Sequence, residues 1–415
     1  MFKAGELDTR YGENGYAKFP AIQPGESAYI AAITQAPDGS LAACWSTQDS
    51  PPSNYFMRLT PEGKWDSETG HKLIAVPAGQ DATAGHFAML TQNRTDNSNI
   101  AQATTYYAEG GVSVETAAVG LYDQRFTASP SFGAVGISLH KPDDAPTAPN
   151  SIGGVKVLRS VHAGGAIRSL YMAQRDTDSA PTAWIALLDP LTGAPLKGLG
   201  QDRNQTQLAL PILDVEPGTP KYPLDITDSY FFDDGSFLLA GSADWRQVIA
   251  KFNADGLLDA SFGILQVAAY RKTVNVSVDL VNERIVTVAG TPRNFGDRSA
   301  LVVRRFMYNG QPDTDFGGNG LVNVYMDYEW NRVSGISIDA EQRVIIATEQ
   351  RKGIQDTIDA TVTRLLEDGE LDTNFGTQGH FQIAGLQLEK LLFNEGELKL
   401  LTRRANEHFA VRLHV

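Results

Sequence analysis

The sequence predicts an all-β chain folded as a seven-bladed β-propeller, each blade four antiparallel strands. Three observations carry this: a glycine- and aspartate-rich signature that recurs along the chain, blade-sized intervals between its copies, and strand-like runs inside each interval. The clearest copy is Asp368-Gly369-Glu370-Leu371-Asp372-Thr373-Asn374-Phe375-Gly376-Thr377-Gln378-Gly379. Close copies begin at Gly5, Gly256 and Gly310, a worn one at Gly63, and partial ones survive as Phe132-Gly133 with Gly136 and as Gly193 with Gly200. The later glycine of the pattern falls at Gly12, Gly70, Gly133, Gly200, Gly263, Gly317 and Gly376, giving seven units of roughly 54 to 67 residues. A closed repeat ring uses residues 1–415 as a single domain.

Residues 1–20 hold a signature and one strand, Gly15 to Phe19, which is half of a hairpin. The first full cycle follows. Strand A runs from Ala28 to Ile33, Pro37-Asp38-Gly39 turns the chain, strand B covers Ser40 to Trp45, and strand C covers Tyr55 to Leu59. Asp-Gly between two alternating apolar runs is a hairpin signal because both residues tolerate positive φ. Later A–B turns are expected near Asp96-Asn97, Gly164-Gly165, Asp234-Gly235, Asn282-Glu283, Glu341-Gln342 and Glu395-Gly396. Strand C is the most regular element, as in Val248 to Phe252, Leu301 to Phe306, Val362 to Leu365 and Phe409 to Leu413, with cognates through Gly120-Leu121-Tyr122 and Trp184 to Leu187. A signature joins C to an outer strand D, such as Phe381 to Ala384. The last unit has A, B and C and then stops, so Gly15 to Phe19 is expected to pair with Phe409 to Leu413 and close the ring.

The signature has a structural task. Glycines accept positive φ, and the aspartates Asp8, Asp66, Asp259, Asp313 and Asp372 can accept hydrogen bonds from backbone N–H groups two residues on. Gly12, Gly263, Gly317 and Gly376 then turn the chain, and Tyr11, Phe132, Phe262, Phe316 and Phe375 can pack between blades. The rival is a calcium loop at Asp313-Thr314-Asp315-Phe316-Gly317-Gly318-Asn319. It ends on Val324 where an EF-type loop needs a bidentate glutamate.

The Leu-Asp-x-x-Phe-Gly-x-x-Gly pattern resembles the Delta-60 repeat family. That resemblance implies a β-propeller and brings no assigned activity with it. The layout is also similar to NHL-type propellers, where a Phe-Gly turn joins the third and outer strands.

A formal charge of −14 and a sequence pI near 5.0 argue against nucleic acid or an anionic bilayer as partner, since both need a basic footprint. The lone Cys44 sits in an apolar strand pattern and reads as a small core residue. No leader precedes Gly5, and no run approaches the ~18 apolar residues of a membrane helix. The expectation is a cytoplasmic protein, or one exported without a cleavable signal, acting as a monomer. The histidines His71, His86, His140, His162, His380, His408 and His414 show no metal-ligand spacing, and no nucleophile elbow or phosphate loop is present. No cofactor is therefore expected.

Strand order divides the loops between two faces. A–B turns and signatures share one face, while the B–C and D–A connections share the other and are irregular, as at Thr47 to Asn54, His140 to Gly154, Gln201 to Pro223, Thr291 to Ser299 and Gln350 to Asp359. In the later blades this loop face collects Trp245, Arg246, Arg293, Arg298, Trp330, Arg332 and Arg351. Arginine and tryptophan suit planar anions, sugars or a protein hot spot. The reading is a non-enzymatic scaffold that recognises a protein or glycan through this face. The alternative is a propeller hydrolase or lyase with a metal or carboxylate site at the channel mouth.

Overall fold

In the computed structural model the described residues are 3–21, 28–47, 53–74, 87–92, 98–109, 112–134, 136–140, 155–173, 182–199, 204–209, 225–243, 246–268, 275–279, 282–291, 299–326, 328, 330–351, 358–394 and 396–415. Runs of β-branched and small apolar residues, punctuated by glycine turns, form strands throughout.

The chain opens with β1 (Tyr16–Lys18). Blade one is β2 (Ala28–Gln35), β3 (Leu41–Thr47), β4 (Asn54–Leu59) and β5 (Lys72–Leu73). Blade two is β6 (Phe87–Gln92), β7 (Asn99–Glu109), β8 (Val112–Tyr122) and β9 (Ile137–His140). Blade three is β10 (Val155–Ala163), β11 (Ala166–Ala173), β12 (Thr182–Leu188) and β13 (Gln205–Gln207). Blade four is β14 (Asp225–Phe231), β15 (Phe237–Ala243), β16 (Arg246–Phe252) and β17 (Ile264–Ala268). Blade five is β18 (Asn275–Asp279), β19 (Arg284–Thr291), β20 (Ser299–Met307) and β21 (Leu321–Met326). Blade six is β22 (Trp330–Ile338), β23 (Val344–Arg351), β24 (Asp359–Leu365) and β25 (His380–Ile383). Blade seven is β26 (Gln387–Asn394), β27 (Glu397–Arg404) and β28 (Glu407–Leu413), completed by β1.

The protein is a seven-bladed all-β propeller of four-stranded antiparallel blades. Innermost strands touch in the cyclic order β2, β6, β10, β14, β18, β22, β26 and back to β2. Closure is as expected from the sequence: Tyr16, Ala17 and Lys18 pair with Val411, Ala410 and Phe409. The core lies between blades. Phe56, Tyr122 and Phe126 fill the junction of blades one and two, and Val303, Phe316, Val344 and Ile346 that of five and six. Tyr11, Trp45, Met57 and Leu401 fill the junction of seven and one. Cys44 is fully buried in this packing, and burial pushes its thiol well up from the ordinary value.

Two details depart from the sequence reading. In blade two, β7 and β8 are eleven residues each and pair out to Glu109 and Val112. This hairpin reaches beyond the short strand expected through Tyr122. In six of the seven innermost strands the register slips by one residue, at Ala31, Ala88, Leu158, Thr227, Ser334 and Glu389. Such bulges bend the strand and re-aim the next side chain. The turn expected at Asp96-Asn97, Glu395 of the last turn, Gly200, and most of the irregular loops expected on the second face, namely residues 48–52, 141–154, 201–203, 210–224, 292–298 and 352–357, lie outside the described residues.

Candidate functional site

The signature turns use up most of their own polar groups. Asp313 Oδ1 accepts the N–H of Asp315 at 3.2 Å, while Oδ2 accepts from Arg305 Nε and Arg284 Nε, both at 2.7 Å. Asp372 repeats the arrangement, accepting from Asn374 N at 3.1 Å and Arg364 Nε at 2.8 Å. In Asp8, Oδ1 accepts from Arg10 N at 3.2 Å and Oδ2 meets Arg412 at 2.7 Å. Asp259 accepts from Ser261 N at 2.9 Å and pairs with Lys251 at 3.6 Å, and Asp66 accepts from Glu68 N at 3.1 Å. Burial alone would raise the Asp313 carboxyl; the Arg305 charge and the Asp315 N–H hold it below the usual range.

Three of these guanidinium groups also lie over the signature aromatic: buried Arg305 over Phe316 at 4.7 Å, buried Arg364 over Phe375 at 4.6 Å, and half-buried Arg412 over Tyr11 at 4.8 Å. Nη1 of Arg305 and of Arg364 has no hydrogen-bond partner, so the ring faces supply the compensating contact. Sequence reasoning missed these cations. Their signal is a basic residue eight positions before a signature aspartate: Arg58, Lys251, Arg305 and Arg364.

The turns also bind one blade to the next. Gly12 N donates to Glu62 O at 2.8 Å, Gly133 N to Thr192 O at 2.7 Å, Gly317 N to Asp368 O at 2.8 Å and Gly376 N to Ala4 O at 2.8 Å. Gly376 has φ +54°, and a Cβ there would stand 2.2 Å from His380 O. Gly369 has φ +89° and lies against Phe316 of the preceding blade, where a Cβ would come 3.2 Å from the ring.

On the opposite face, Trp330 opens β22 directly across from Arg351 at the end of β23. Two residues on, Arg332 Nε donates to Glu349 Oε2 at 2.6 Å, and its Nη2 donates to Leu388 O in the next blade at 3.0 Å. Glu349 Oε1 accepts Leu388 N at 3.0 Å, so this pair ties blade six to blade seven. Arg246 opens β16, next to the position of Trp245. Trp245, Arg293 and Arg298 lie outside the described residues. Sequence reasoning also missed Glu389, which meets His408 Nδ1 at 3.0 Å and Arg403 Nε at 3.3 Å beside Trp45.

Three charges gather in the channel. Arg159, Asp228 and Lys390 each follow the bulge of their innermost strand, in blades three, four and seven. Lys390 Nζ donates to Ile33 O of blade one at 3.1 Å, and Arg159 Nη1 donates to Ser229 O of blade four. Burial, helped by Arg159 and opposed by Asp228, lowers the Lys390 ammonium to about 8. Placing these residues needs the bulge positions, which a pattern of alternating residues does not reveal.

Residues 233–262 match the family described as "domain of unknown function (DUF5122) beta-propeller". The matched stretch runs from the β14–β15 turn to Phe262 of a signature. No curated protein matches the chain in sequence. Among solved structures, the chain is similar to the β-propeller domain of the trilobed protease from Pyrococcus furiosus at 9% identity and TM-score 0.45, over 92% of this chain and 95% of that one. It is also similar to Chaetomium thermophilum Sqt1, solved bound to the N-terminus of the ribosomal protein L10, at 10% identity and TM-score 0.48, over 94% and 98%. An acylaminoacyl peptidase is similar at 11% identity and TM-score 0.46, over 94% of this chain. The chain spans about half the length of that peptidase, 52%.

Proposed function

We propose that this propeller is a binding scaffold of the Delta-60 repeat type, NHL-like in layout, that recognises a protein or glycan through its loop face. It acts as a monomer and takes neither nucleic acid nor a bilayer as partner, in keeping with its charge of −14. The observation that carries this reading is the division of labour between the faces. The carboxylates of Asp8, Asp313 and Asp372 are spent inside the signature turns, and every B–C and D–A connection leaves from the other end of the strands. Varied connections on a rigid frame are where binding residues accumulate. Trp330 and Arg351, paired across β22 and β23, stand at the edge of that face.

The test compares Trp330→Ala, Arg351→Ala and Asp38→Ala in affinity capture from the source organism, then in titration against the captured partner. Trp330→Ala and Arg351→Ala should each weaken binding about tenfold or more, as loss of an interface anchor does, and Asp38→Ala should leave it unchanged. Arg332→Ala is read together with its melting temperature, because this side chain also holds blades six and seven together. A partner whose affinity ignores Trp330, Arg332, Arg293 and Arg351 alike would falsify the proposal.

A further inference from the structure

A groove of about 800 Å³ runs over the outer edge of blade six, along the edge strand β25. One side is made by Tyr325, Met326 and Tyr328 of blade five, the other by residues 3 and 5–7, which belong to blade seven. Its volume lies within the range of ligand-binding clefts.

The groove is built from uncharged hydrogen-bonding groups held in fixed positions. Gln350 is fully buried, and its Nε2 donates to Thr348 Oγ1 at 3.2 Å while its Oε1 accepts from Thr361 Oγ1 at 3.0 Å. Thr361 pairs with Gln382 and Thr363 with His380 across β24 and β25, which sets these four side chains on one face of the sheet. Gln382 Nε2 is held by Asp359 at 2.7 Å, and His380 Nδ1 by Thr363 Oγ1 at 2.9 Å. Burial lowers the His380 imidazole below its ordinary value, against the charged form. Gln350 and Thr361 are buried and bonded to each other, so they form a fixed polar floor beneath the exposed Gln382.

Apolar and aromatic surface lies beside these groups. Phe381 lines the groove, and Tyr325 is 62% exposed there. Lys3 and Glu6 are the permanently charged members of the lining, in a chain that is 20% charged, and they are engaged locally. Lys3 Nζ donates to Gly376 O at 2.6 Å and Lys3 N to Glu6 Oε2 at 3.4 Å. A charged ligand would find no fixed counter-charge in the middle of this groove. A pyranose offers what does fit: hydroxyls that donate and accept along its rim, and an apolar C–H face for an aromatic ring.

We propose that the groove over blade six binds an uncharged oligosaccharide, with Gln382 and His380 meeting its hydroxyls and Tyr325 stacking on a ring. The groove runs from the perimeter to the loop-face end of blade six, where Tyr328 and Gln350 line it, and this inference uses none of the arginines and tryptophans that carry the loop-face reading.

The test uses an array of neutral and uronic-acid oligosaccharides, followed by calorimetry with the neutral hexasaccharide that binds best. The parent should bind a neutral glycan saturably, and raising salt from about 0.05 to about 0.5 M should leave the Kd nearly unchanged. Tyr325→Ala and Gln382→Leu should each weaken binding about tenfold or more with an unchanged melting temperature, since both sit at the rim, while Asp38→Ala in the first A–B turn should have no effect. Binding of no neutral glycan, binding of uronic-acid glycans alone, or an affinity that ignores both rim variants overturns the proposal. So does loss of glycan binding on Trp330→Ala with the rim variants unaffected, which would assign the sugar to the loop face.

Discussion

At the scale of single residues, the chain contains its own control experiment on the buried ion pair. Asp313 N bonds to Arg305 O at 3.0 Å, and the same backbone bond joins Ser129 to Leu121 at 2.9 Å and Leu196 to Leu187 at 2.9 Å. Where the aspartate is lost, in blades two and three, its cation is lost as well. The cost of a lone buried charge explains the joint replacement: removing one partner of a buried pair typically costs about 3 to 5 kcal/mol, whereas an apolar pair of similar volume is often neutral. Asp313→Ala should therefore lower stability by about 3 to 5 kcal/mol, because Arg305 is only 2% exposed. The double variant Arg305→Leu with Asp313→Leu, copying blade three, should recover most of that loss in a denaturant-unfolding cycle. Equal destabilisation by the single and double variants would show that the pair, and not its absence of a lone charge, holds the turn.

At the scale of elements, β1 is only three residues long, yet it brings Tyr11, Ala17 and Phe19 into the seam between blades seven and one. Deleting residues 1–19 exposes the edge of β28 and opens this seam, so a lower melting temperature and aggregation are expected. An unchanged melting curve would show that β1 does not close the ring. The seam is also sensitive to acid. Burial works against the charged form of Asp8, but the hydrogen bonds of Arg10 and the charge of Arg412 outweigh it and bring the carboxyl from 3.8 to about 2. A carboxyl depressed on folding contributes stability above its unfolded value, lost as pH falls from about 4 towards about 2. Urea titrations should show the parent losing stability over that window more steeply than Asp8→Asn; identical slopes would remove Asp8 from the acid response.

At the scale of the whole molecule, the blade count and closure were legible because the ring repeats: Gly5, Gly256, Gly310 and Gly369 mark equivalent turns, and Gly15 to Phe19 lacked a local partner. Arg305, Arg364 and Arg412 were concealed because each sits in strand C among residues that already satisfied the strand pattern. The channel set was concealed for a different reason. Arg159, Asp228 and Lys390 come from three blades, and one-residue bulges decide which way they point. Lys390 gives that set a measurable signature. Its folded value near 8 lies below the ordinary 10.5, so the unfolded chain binds the extra proton and stability rises with pH between about 8 and about 10.5. Lys390→Met should abolish the rise and be more stable than the parent at pH 7 by on the order of 1 to 3 kcal/mol, with the difference vanishing near pH 11. A parent curve flat across this range would place the ammonium in water.

The turn-to-turn contacts have a consequence for chain connectivity. Gly12 N bonds to Glu62 O at 2.8 Å across the seam as Gly317 N bonds to Asp368 O at 2.8 Å between blades five and six, and Gly5 N bonds to His414 O at 2.7 Å. Among the described residues the seam thus repeats the contact made at the junctions of blades two and three, five and six, and six and seven. Joining His414 to the segment before Gly5 through a short linker, and opening the chain instead at Asn309-Gly310, would yield a circular permutant with the same ring and a different starting blade.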